Sequence, residues 1–262
     1  MLDRRDTAEQ RLARLPRAIV GGMQIAVITR ADAAVLMLDL ARSRPRGKRP
    51  LFFTSANGEV LARAAREPEI AKLFAAADQV VADGQPMVVA SRRLCAQPLP
   101  ERVATTDLFH DAARLAETDG TRFYLLGASP DENARAVAAV RAAYPRLNLV
   151  GHSHGFLDGP ALDEKLSEID ALAPDILWLG LGVPREQTFA VRYGDRLPNV
   201  GVIKTSGGLF NFLSGTNRRA PQWMQATGLE WLWRLLLEPR RLFVRYLVTN
   251  PLAIFLLLTR SR

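Results

Sequence analysis

The chain has 262 residues, 48% of them apolar and 24% charged, and its formal net charge is +8. This composition excludes a disordered chain, a collagen and a disulfide scaffold, and the length corresponds to one or two domains. The one cysteine, Cys95, permits neither an internal disulfide nor a cysteine-based zinc site. The positive charge favours an anionic partner.

The body of the chain alternates short apolar runs with helical stretches. Strands are predicted over residues 25–29, 51–54, 79–82, 122–126, 147–150, 175–179 and 200–203. Helices are predicted over residues 32–41, 59–77 with a break at Pro68, 85–95, 106–117, 131–144, 162–172 and 185–193. This alternation predicts an α/β fold, a doubly wound and mostly parallel Rossmann-like sheet.

From about residue 222 the pattern changes to helix only. We therefore divide the chain into an α/β domain over residues 1–216 and an arginine-rich helical appendage over residues 217–262. The appendage contains eight arginines and two glutamates, a net charge of +6. Arginine binds phosphate oxygens in a bidentate way, so the appendage is predicted to meet phosphates or an anionic membrane. A solvated basic helix is the alternative.

The C-terminal apolar run is predicted to lie at a membrane surface. Arg245, Asn250 and Pro251 interrupt residues 242–258, so no spanning helix is predicted, and no targeting segment is evident at the start of the chain. Aromatic rings, aliphatic side chains and arginines together are typical of an interfacial segment. The alternative is a helix that packs on the domain's own core.

The loops after the predicted strands are rich in glycine and small polar residues. Ligands bind at the carboxyl ends of strands in an open parallel sheet, where such loops let backbone N–H groups approach a phosphate. The glycine patterns of dinucleotide-binding and P-loop sites are absent, and so is the Asp-x-Asp pair that holds a metal in many sugar-nucleotide enzymes. A site without metal would need arginines to stabilise a departing diphosphate.

One carboxylate stands out among these loops. Asp83 ends a short apolar strand and precedes Gly84, where it could act as general base for a hydroxyl nucleophile. An ordinary Asp-Gly turn is the alternative. His152 and His154 have no evident third partner, so no metal site is predicted.

Several segments, taken in order and spacing, resemble the WecG/TagA/CpsF glycosyltransferases, which act in bacterial cell-envelope and exopolysaccharide synthesis. The matching segments are residues 55–57, 83–84, 101–103, 106–107, 123–127, 151–156, 174–177, 180–184, 207–215, 219–221, 228–234, 238–241 and 245–246. The resemblance implies inverting transfer from a UDP-sugar to a polyprenyl-diphosphate-linked sugar at the cytoplasmic face of the bacterial inner membrane. It implies a peripheral membrane enzyme without a metal or further cofactor. The sugar of the UDP-linked donor is expected to be N-acetylmannosamine, the corresponding uronic acid or glucose. The resemblance is also compatible with a homo-oligomer.

The resemblance also implies roles for individual residues. Asp83 matches the catalytic base, Ser55 and Asn57 match sugar-site residues, and Arg102 matches an arginine near the site. The expected substrate-binding residues are Gln187, Gly127, Gly182, Gly207, Gly208, Asn211, Arg234, Arg241 and Arg245.

The chain departs from the family pattern at several places, among them Ser55, which replaces a threonine, and residues 204–206, which are less glycine-rich than usual. The family's Gln-Glu pair is here Glu186-Gln187, which leaves open which of the two reaches the ligand, and Asn211 replaces an aspartate. Two other classes of function stay open from the residues alone. One is a basic polyanion- or nucleic-acid-binding protein, disfavoured because the sheet-end loops carry few aromatic rings for base stacking. The other is a non-catalytic membrane scaffold with a vestigial nucleotide pocket.

Overall fold

The protein is described here by a computed structural model covering residues 6–221, 223–224, 227 and 229–262. The side chains of Arg234 and Arg241 lie outside the described part, so the predictions made for them stay predictions.

A six-stranded parallel sheet forms the centre of the molecule and confirms the predicted fold class. The strands are β3 (Leu51–Ala56), β4 (Gln79–Ala82), β5 (Arg122–Gly127), β6 (Asn148–Ser153), β7 (Ile176–Gly180) and β8 (Val202–Thr205). Their order across the sheet is β4-β3-β8-β7-β5-β6, and every pairing is parallel. The central strands are buried throughout because helices cover both faces of the sheet.

The helices agree with the predicted alternation. They are α1 (Ala8–Ala13), α2 (Arg30–Ser43), α3 (Gly58–Arg66), α4 (Pro68–Ala75), α5 (Gln85–Leu94), α6 (Thr105–Asp119), α7 (Pro130–Ala143), α8 (Gly159–Leu172), α9 (Arg185–Tyr193), α10 (Leu209–Leu213), α11 (Glu230–Leu237) and α12 (Pro239–Thr259). The predicted break at Pro68 is confirmed as the first residue of α4, a position where the missing N–H of proline costs nothing.

The predicted first strand exists, but it spans Met23–Ala26 rather than residues 25–29 and lies outside the parallel sheet. Instead of joining the parallel sheet, β2 (Met23–Ala26) pairs antiparallel with β1 (Arg17–Val20), a strand that was not predicted. Gly21 and Gly22 form the turn with φ of 60° and 87°, the left-handed conformation that a two-residue hairpin requires. These two glycines let the chain reverse tightly between β1 and β2, so the hairpin forms before α2 begins.

Alternate residues of the central strands pack on opposite faces of the sheet. Phe123 and Trp178 join the core formed with α2, α6 and α7, whereas Tyr124 and Leu179 join the core formed with α8 and α9. This alternation places both cores against the same strands and leaves the carboxyl ends of the strands open to solvent.

The C-terminal helix α12 packs on the α/β body with one face. Leu256 and Leu257 belong to the core that contains α3, α4 and α5, and the backbone of Arg262 exchanges two hydrogen bonds with Ile19. The end of the chain is therefore part of the body's core, although the division at residues 216/217 stays a prediction. α11 ends before Glu238, and Pro239 begins α12, a first-turn position that proline tolerates.

The predicted interruption of the apolar run is not seen in the structure. Residues 242–259 form one continuous helical segment that is long and apolar enough, by length and composition, to cross a membrane, with 28% of its residues buried. Core helices of soluble proteins pass the same test. Pro251 lies on the exposed side of α12, where the helix continues past it because Ala253, Leu256 and Leu257 are buried on the other side.

Candidate active site

The strand order brings four loop ends together at one edge of the sheet. β4, β3, β8 and β7 are neighbours, so the loops that follow their carboxyl ends lie side by side. They enclose a polar pocket of about 120 Å³, which Ser55, Asn57, Asp83, Glu186 and Gly207 help to line. The rule that ligands bind at the carboxyl ends of parallel strands makes this pocket the candidate active site.

Asp83 ends β4 and faces this pocket. One of its oxygens, Oδ2, accepts hydrogen bonds from the backbone N–H of Thr105 at 3.3 Å and from the Thr105 hydroxyl at 3.1 Å. Burial raises the pKa of Asp83, while Arg102, the Thr105 hydrogen bonds and Lys204 act in the opposite direction. Among the described residues no group donates to Oδ1, so that oxygen is available to an incoming hydroxyl.

Ser55 lies near the end of β3, and Asn57 comes directly after that strand. Asn57 is the N-cap of α3, and its Oδ1 accepts a hydrogen bond from the N–H of Val60 at 3.1 Å. The cap fixes the side chain at the meeting point of the 120 Å³ pocket and two adjoining cavities. The Ser55 hydroxyl lies 3.0 Å from the hydroxyl of Thr105. The structure therefore brings both predicted sugar-site residues to Asp83.

The appendage closes one side of the site. A second cavity of about 280 Å³ lies between Asp83, Arg102 and the appendage residues Glu230, Arg245 and Tyr246. Arg102 pairs with Glu230 of α11 at 2.6 Å, so the body and the appendage are joined beside the candidate base.

Arg245 of α12 also reaches the site. It forms an ion pair with Glu59 of α3 at 3.2 Å and lies 5.2 Å from the ring centre of Tyr246. It lines the 280 Å³ cavity and a third cavity of about 400 Å³. Arg245 thus lies at the wall of both cavities, and its predicted contact with a diphosphate stays a prediction.

Gly182, Gly207, Gly208 and Asn211 line the 400 Å³ cavity. Gly182 and Gly207 have φ of 77° and 53°, a backbone conformation in which a side chain would be strained. Gly127 does not line these cavities. A Cβ at Gly127 would lie 2.4 Å from the carbonyl oxygen of Gly180, so its lack of a side chain serves the close approach of two strands.

The chain matches the model of the glycosyl transferase WecG/TagA/CpsF family over residues 18–262. It belongs to this family. Its relatives include the N-acetylglucosaminyldiphosphoundecaprenol N-acetyl-beta-D-mannosaminyltransferases of Bacillus spizizenii, with 30% identity over 72% of each chain, and of Bacillus subtilis, with 30% identity over 72% of each chain. The enzyme of that name from Staphylococcus aureus is 28% identical over 73% of this chain and 74% of its own. Membership of a glycosyltransferase family favours the enzyme over the nucleic-acid-binding and scaffold alternatives.

The inverted Glu186-Gln187 order of this family member has a clear structural outcome. Glu186 lines the 120 Å³ pocket, and its Oε2 accepts hydrogen bonds from the N–H groups of Gly182 at 3.2 Å and Gly207 at 2.9 Å. Gln187 is fully buried below the pocket, where its Nε2 donates to the Thr54 hydroxyl at 3.2 Å. Gln187 was the residue predicted to bind substrate. In the structure it is Glu186, and not Gln187, that lines the pocket.

Two further residues of the site were missed in the sequence. The first is Lys204 in β8, which is 1% exposed and donates a hydrogen bond from Nζ to the Ser55 hydroxyl at 2.8 Å. The second is Thr105, whose hydroxyl donates a hydrogen bond to Asp83. Lys204 comes directly after the predicted apolar strand at residues 200–203. A lysine at this position of a buried strand could have been recognised in the sequence as a candidate site residue. Thr105 gave no signal, because it lies 22 residues beyond Asp83 and reaches it only in the fold.

The described residues contain no group of three or more His, Cys, Asp or Glu side chains placed to hold a metal ion. Of the two histidines considered from the sequence, His152 lies 3.0 Å from the side-chain oxygen of Asn133 through its Nδ1, on the β6 side of the sheet. His154 accepts a hydrogen bond from the N–H of Phe156. Both therefore lie in local hydrogen-bonding networks.

Proposed function

We propose that the protein transfers a sugar from a UDP-sugar to a sugar carried on a polyprenyl diphosphate, with inversion at the anomeric carbon and without a metal ion, on the cytoplasmic face of the bacterial inner membrane. The observation that carries the proposal is the position of Asp83. Its carboxylate faces a sugar-sized polar pocket beside a larger cavity that arginines line. The relatives' names supply the acceptor class, because they describe transfer to N-acetylglucosaminyldiphosphoundecaprenol.

The environment of Asp83 supports a role as general base. A carboxylate in water is a weak base, and burial that raises its pKa makes proton abstraction from an alcohol more favourable. Thr105 occupies Oδ2 and leaves Oδ1 toward the pocket. An acceptor hydroxyl placed at Oδ1 could attack the anomeric carbon of a donor sugar held between Asn57 and Glu186. One such displacement inverts the configuration at that carbon.

The arginines beside the site support stabilisation of the leaving UDP without a metal. Arg102 and Arg245 line the 280 Å³ cavity, paired with Glu230 and Glu59. Guanidinium groups bind diphosphate oxygens with two parallel hydrogen bonds, and in a partly buried site they neutralise the charge that develops on the leaving group. The positive φ glycines of the neighbouring cavity leave room for the diphosphate next to the backbone.

The outer surface of the appendage supports attachment to a membrane. Large apolar side chains of α12 recur at spacings of three and eight residues, which bring them to one exposed face of the helix. These residues are Val244, Leu247, Phe255 and Leu258, each between 56% and 66% exposed. With the appendage arginines nearby, this surface fits an anionic bilayer interface and places the lipid-linked acceptor next to the site.

A UDP-release assay tests the proposed reaction. We expect release that requires both a UDP-hexose donor and a lipid-diphosphate-linked sugar acceptor, and that is unchanged in excess EDTA because arginines carry the charge. UDP release should be faster with a neutral-sugar donor than with a uronic acid donor. The reason is that the carboxylates of Asp83 and Glu186 both line the sugar pocket and would repel a third carboxylate. UDP release that depends on added Mg²⁺, or no transfer from any UDP-sugar, would contradict the proposal.

Replacing Arg245 by methionine tests the diphosphate contact. We expect the KM for the UDP-sugar to rise about tenfold or more, because one charge-assisted contact to the diphosphate is lost, with a smaller fall in kcat. Arg218→Met, another appendage arginine, which does not line the described cavities, is the matched control. An unchanged KM in Arg245→Met would remove this arginine from the donor site.

A further inference from the structure

A chain of hydrogen bonds joins a buried lysine to the candidate base. Lys204 Nζ donates to Ser55 Oγ at 2.8 Å, Ser55 Oγ lies 3.0 Å from Thr105 Oγ1, and Thr105 Oγ1 donates to Asp83 Oδ2 at 3.1 Å. Lys204 also donates to the backbone carbonyl of Thr205 at 2.8 Å. Three strands and one helix start therefore contribute to one continuous polar chain.

The direction of this chain is fixed by the hydrogens available. An ammonium group only donates, and a hydroxyl has a single hydrogen. The Thr105 hydroxyl donates its single hydrogen to Asp83, so it must accept the hydrogen bond from the Ser55 hydroxyl. The Ser55 hydroxyl in turn accepts a hydrogen bond from Lys204. Every bond in the chain points toward Asp83, and hydrogen bonds aligned in this way strengthen one another.

The charges around the chain come from both sides of the pocket. Lys204 faces Asp83 at the end of β4 and Glu186 on α9, and burial lowers the pKa of Lys204 to about 8 although both carboxylates act to raise it. The charge of Arg102 also favours the ionised form of Asp83, and Arg219 interacts with the same carboxylate. Both of these arginines also contact Asp107, so their charge is shared, as the charge of Lys204 is shared with Glu186.

A buried cation is costly, which argues against a purely structural role for Lys204. An apolar side chain of similar volume would fill the same space without the desolvation penalty. The cost is understandable if the cation acts on a neighbour that the reaction uses. The hydrogen-bonded chain identifies that neighbour as Asp83.

We propose that Lys204 is a positioning residue for Asp83: through Ser55 and Thr105 it holds the carboxylate ionised at neutral pH, with Oδ2 engaged and Oδ1 directed to the acceptor hydroxyl. The inference rests on the proposed function, in which Asp83 is the base. Lys204 itself touches no substrate in this account. It acts by keeping a buried carboxylate in the form that accepts a proton.

The test compares the full-length variants Lys204→Met, Lys204→Arg, Thr105→Val and Thr105→Ser. Thr121→Val is the matched control, because Thr121 is also a buried threonine whose hydroxyl bonds an aspartate, but it lies at the opposite end of the sheet. Two readouts are taken from each protein. One is the pH profile of sugar transfer, and the other is the titration of the Asp83 carboxyl carbon by ¹³C NMR, assigned by loss of its signal in Asp83→Asn.

Lys204→Met should move the acid limb of the pH profile about one pH unit upward, because a nearby cation no longer favours the carboxylate. Transfer just below that limb then falls about tenfold, while transfer at alkaline pH stays within about threefold of the wild type. The NMR titration of Asp83 should shift in the same direction without any substrate. Thr105→Val should shift both readouts likewise, whereas Thr105→Ser, Lys204→Arg and Thr121→Val should keep the wild-type values.

The two readouts separate the failure of this inference from the failure of the proposed function. If Lys204→Met and Thr105→Val leave the Asp83 titration and the acid limb unchanged, the inference is overturned. If the NMR shift occurs but Asp83→Asn transfers sugar at the wild-type rate, the coupling stands and the base is wrong. Should Lys204→Met fail to fold, Thr105→Val decides in the same two ways, because it removes one hydroxyl with little change of volume.

Discussion

Replacing Asp83 with asparagine should lower kcat for sugar transfer by about a thousandfold. Asparagine has nearly the same shape and can still accept a hydrogen bond from Thr105, but it cannot take a proton from the acceptor hydroxyl. General base catalysis typically contributes factors of about 10² to 10⁴. The measurement is the steady-state rate of UDP release with saturating donor and acceptor, accompanied by the affinity for UDP and the thermal midpoint of the same sample.

The expected pattern is specific to a base. Asp83→Asn should bind UDP within about threefold of the wild type, because the nucleotide is held by the glycine loops and arginines instead. The matched control is Asp163→Asn, an exposed aspartate that pairs with Arg196 on the outer surface, and it should keep the wild-type rate. A wild-type rate in Asp83→Asn would remove Asp83 from the mechanism.

Introducing a charge on the exposed face of α12 should release the protein from membranes. Leu247 is 65% exposed and belongs to the apolar surface of Val244, Leu247, Phe255 and Leu258. Leu247→Glu removes about 1.5 to 3 kcal/mol of burial in the acyl boundary, so binding to vesicles with anionic lipids should fall about 10- to 100-fold. Adding Phe255→Glu should lower it further. Sedimentation with vesicles measures both.

The control for this surface is Leu115→Glu, a similar change at a leucine of α6 that is 37% exposed. It adds the same charge to the body, so it reports the electrostatic part of the effect alone, and it should bind vesicles nearly as the wild type does. Transfer of sugar to a short-chain soluble acceptor should be the same in all three proteins. Undiminished binding by the double variant, or equal loss in Leu115→Glu, would show that this face does not contact the membrane.

Much of the fold could be predicted because the parallel strands are buried on both faces. The run from Leu51 to Phe53 and the strand Ile176–Gly180 carry no polar side chains, a pattern typical of a parallel sheet covered on both faces. The pairing of β1 with β2 escaped prediction because β1 mixes exposed and buried residues over only four positions, unlike the fully buried β4 and β8. The continuous α12 escaped it because Pro251 normally ends a helix, whereas Leu256 and Leu257 pack on core residues that are far away in sequence.

The site was predictable to the extent that strand ends determine it. Asp83, Ser55 and Asn57 each come directly after or at the end of a strand, so their convergence followed from the parallel topology. The positions of Glu186 and Gln187 did not follow, because a one-residue step along the start of a helix turns a side chain by about 100° and the start of α9 could not be fixed from sequence. The partners of Lys204 depend on contacts across three strands, which no local pattern contains.

The anomeric configuration of the product tests the central claim most directly. If one carboxylate activates the acceptor hydroxyl for a single displacement, a UDP-α-sugar must give a β-linked product, because the bond forms on the face opposite the departing nucleotide. The one-bond carbon–proton coupling at the anomeric carbon of the purified product distinguishes the two anomers by NMR. The account predicts the β-anomer, and an α-linked product would show that the sugar passes through a second step for which Asp83 alone cannot account.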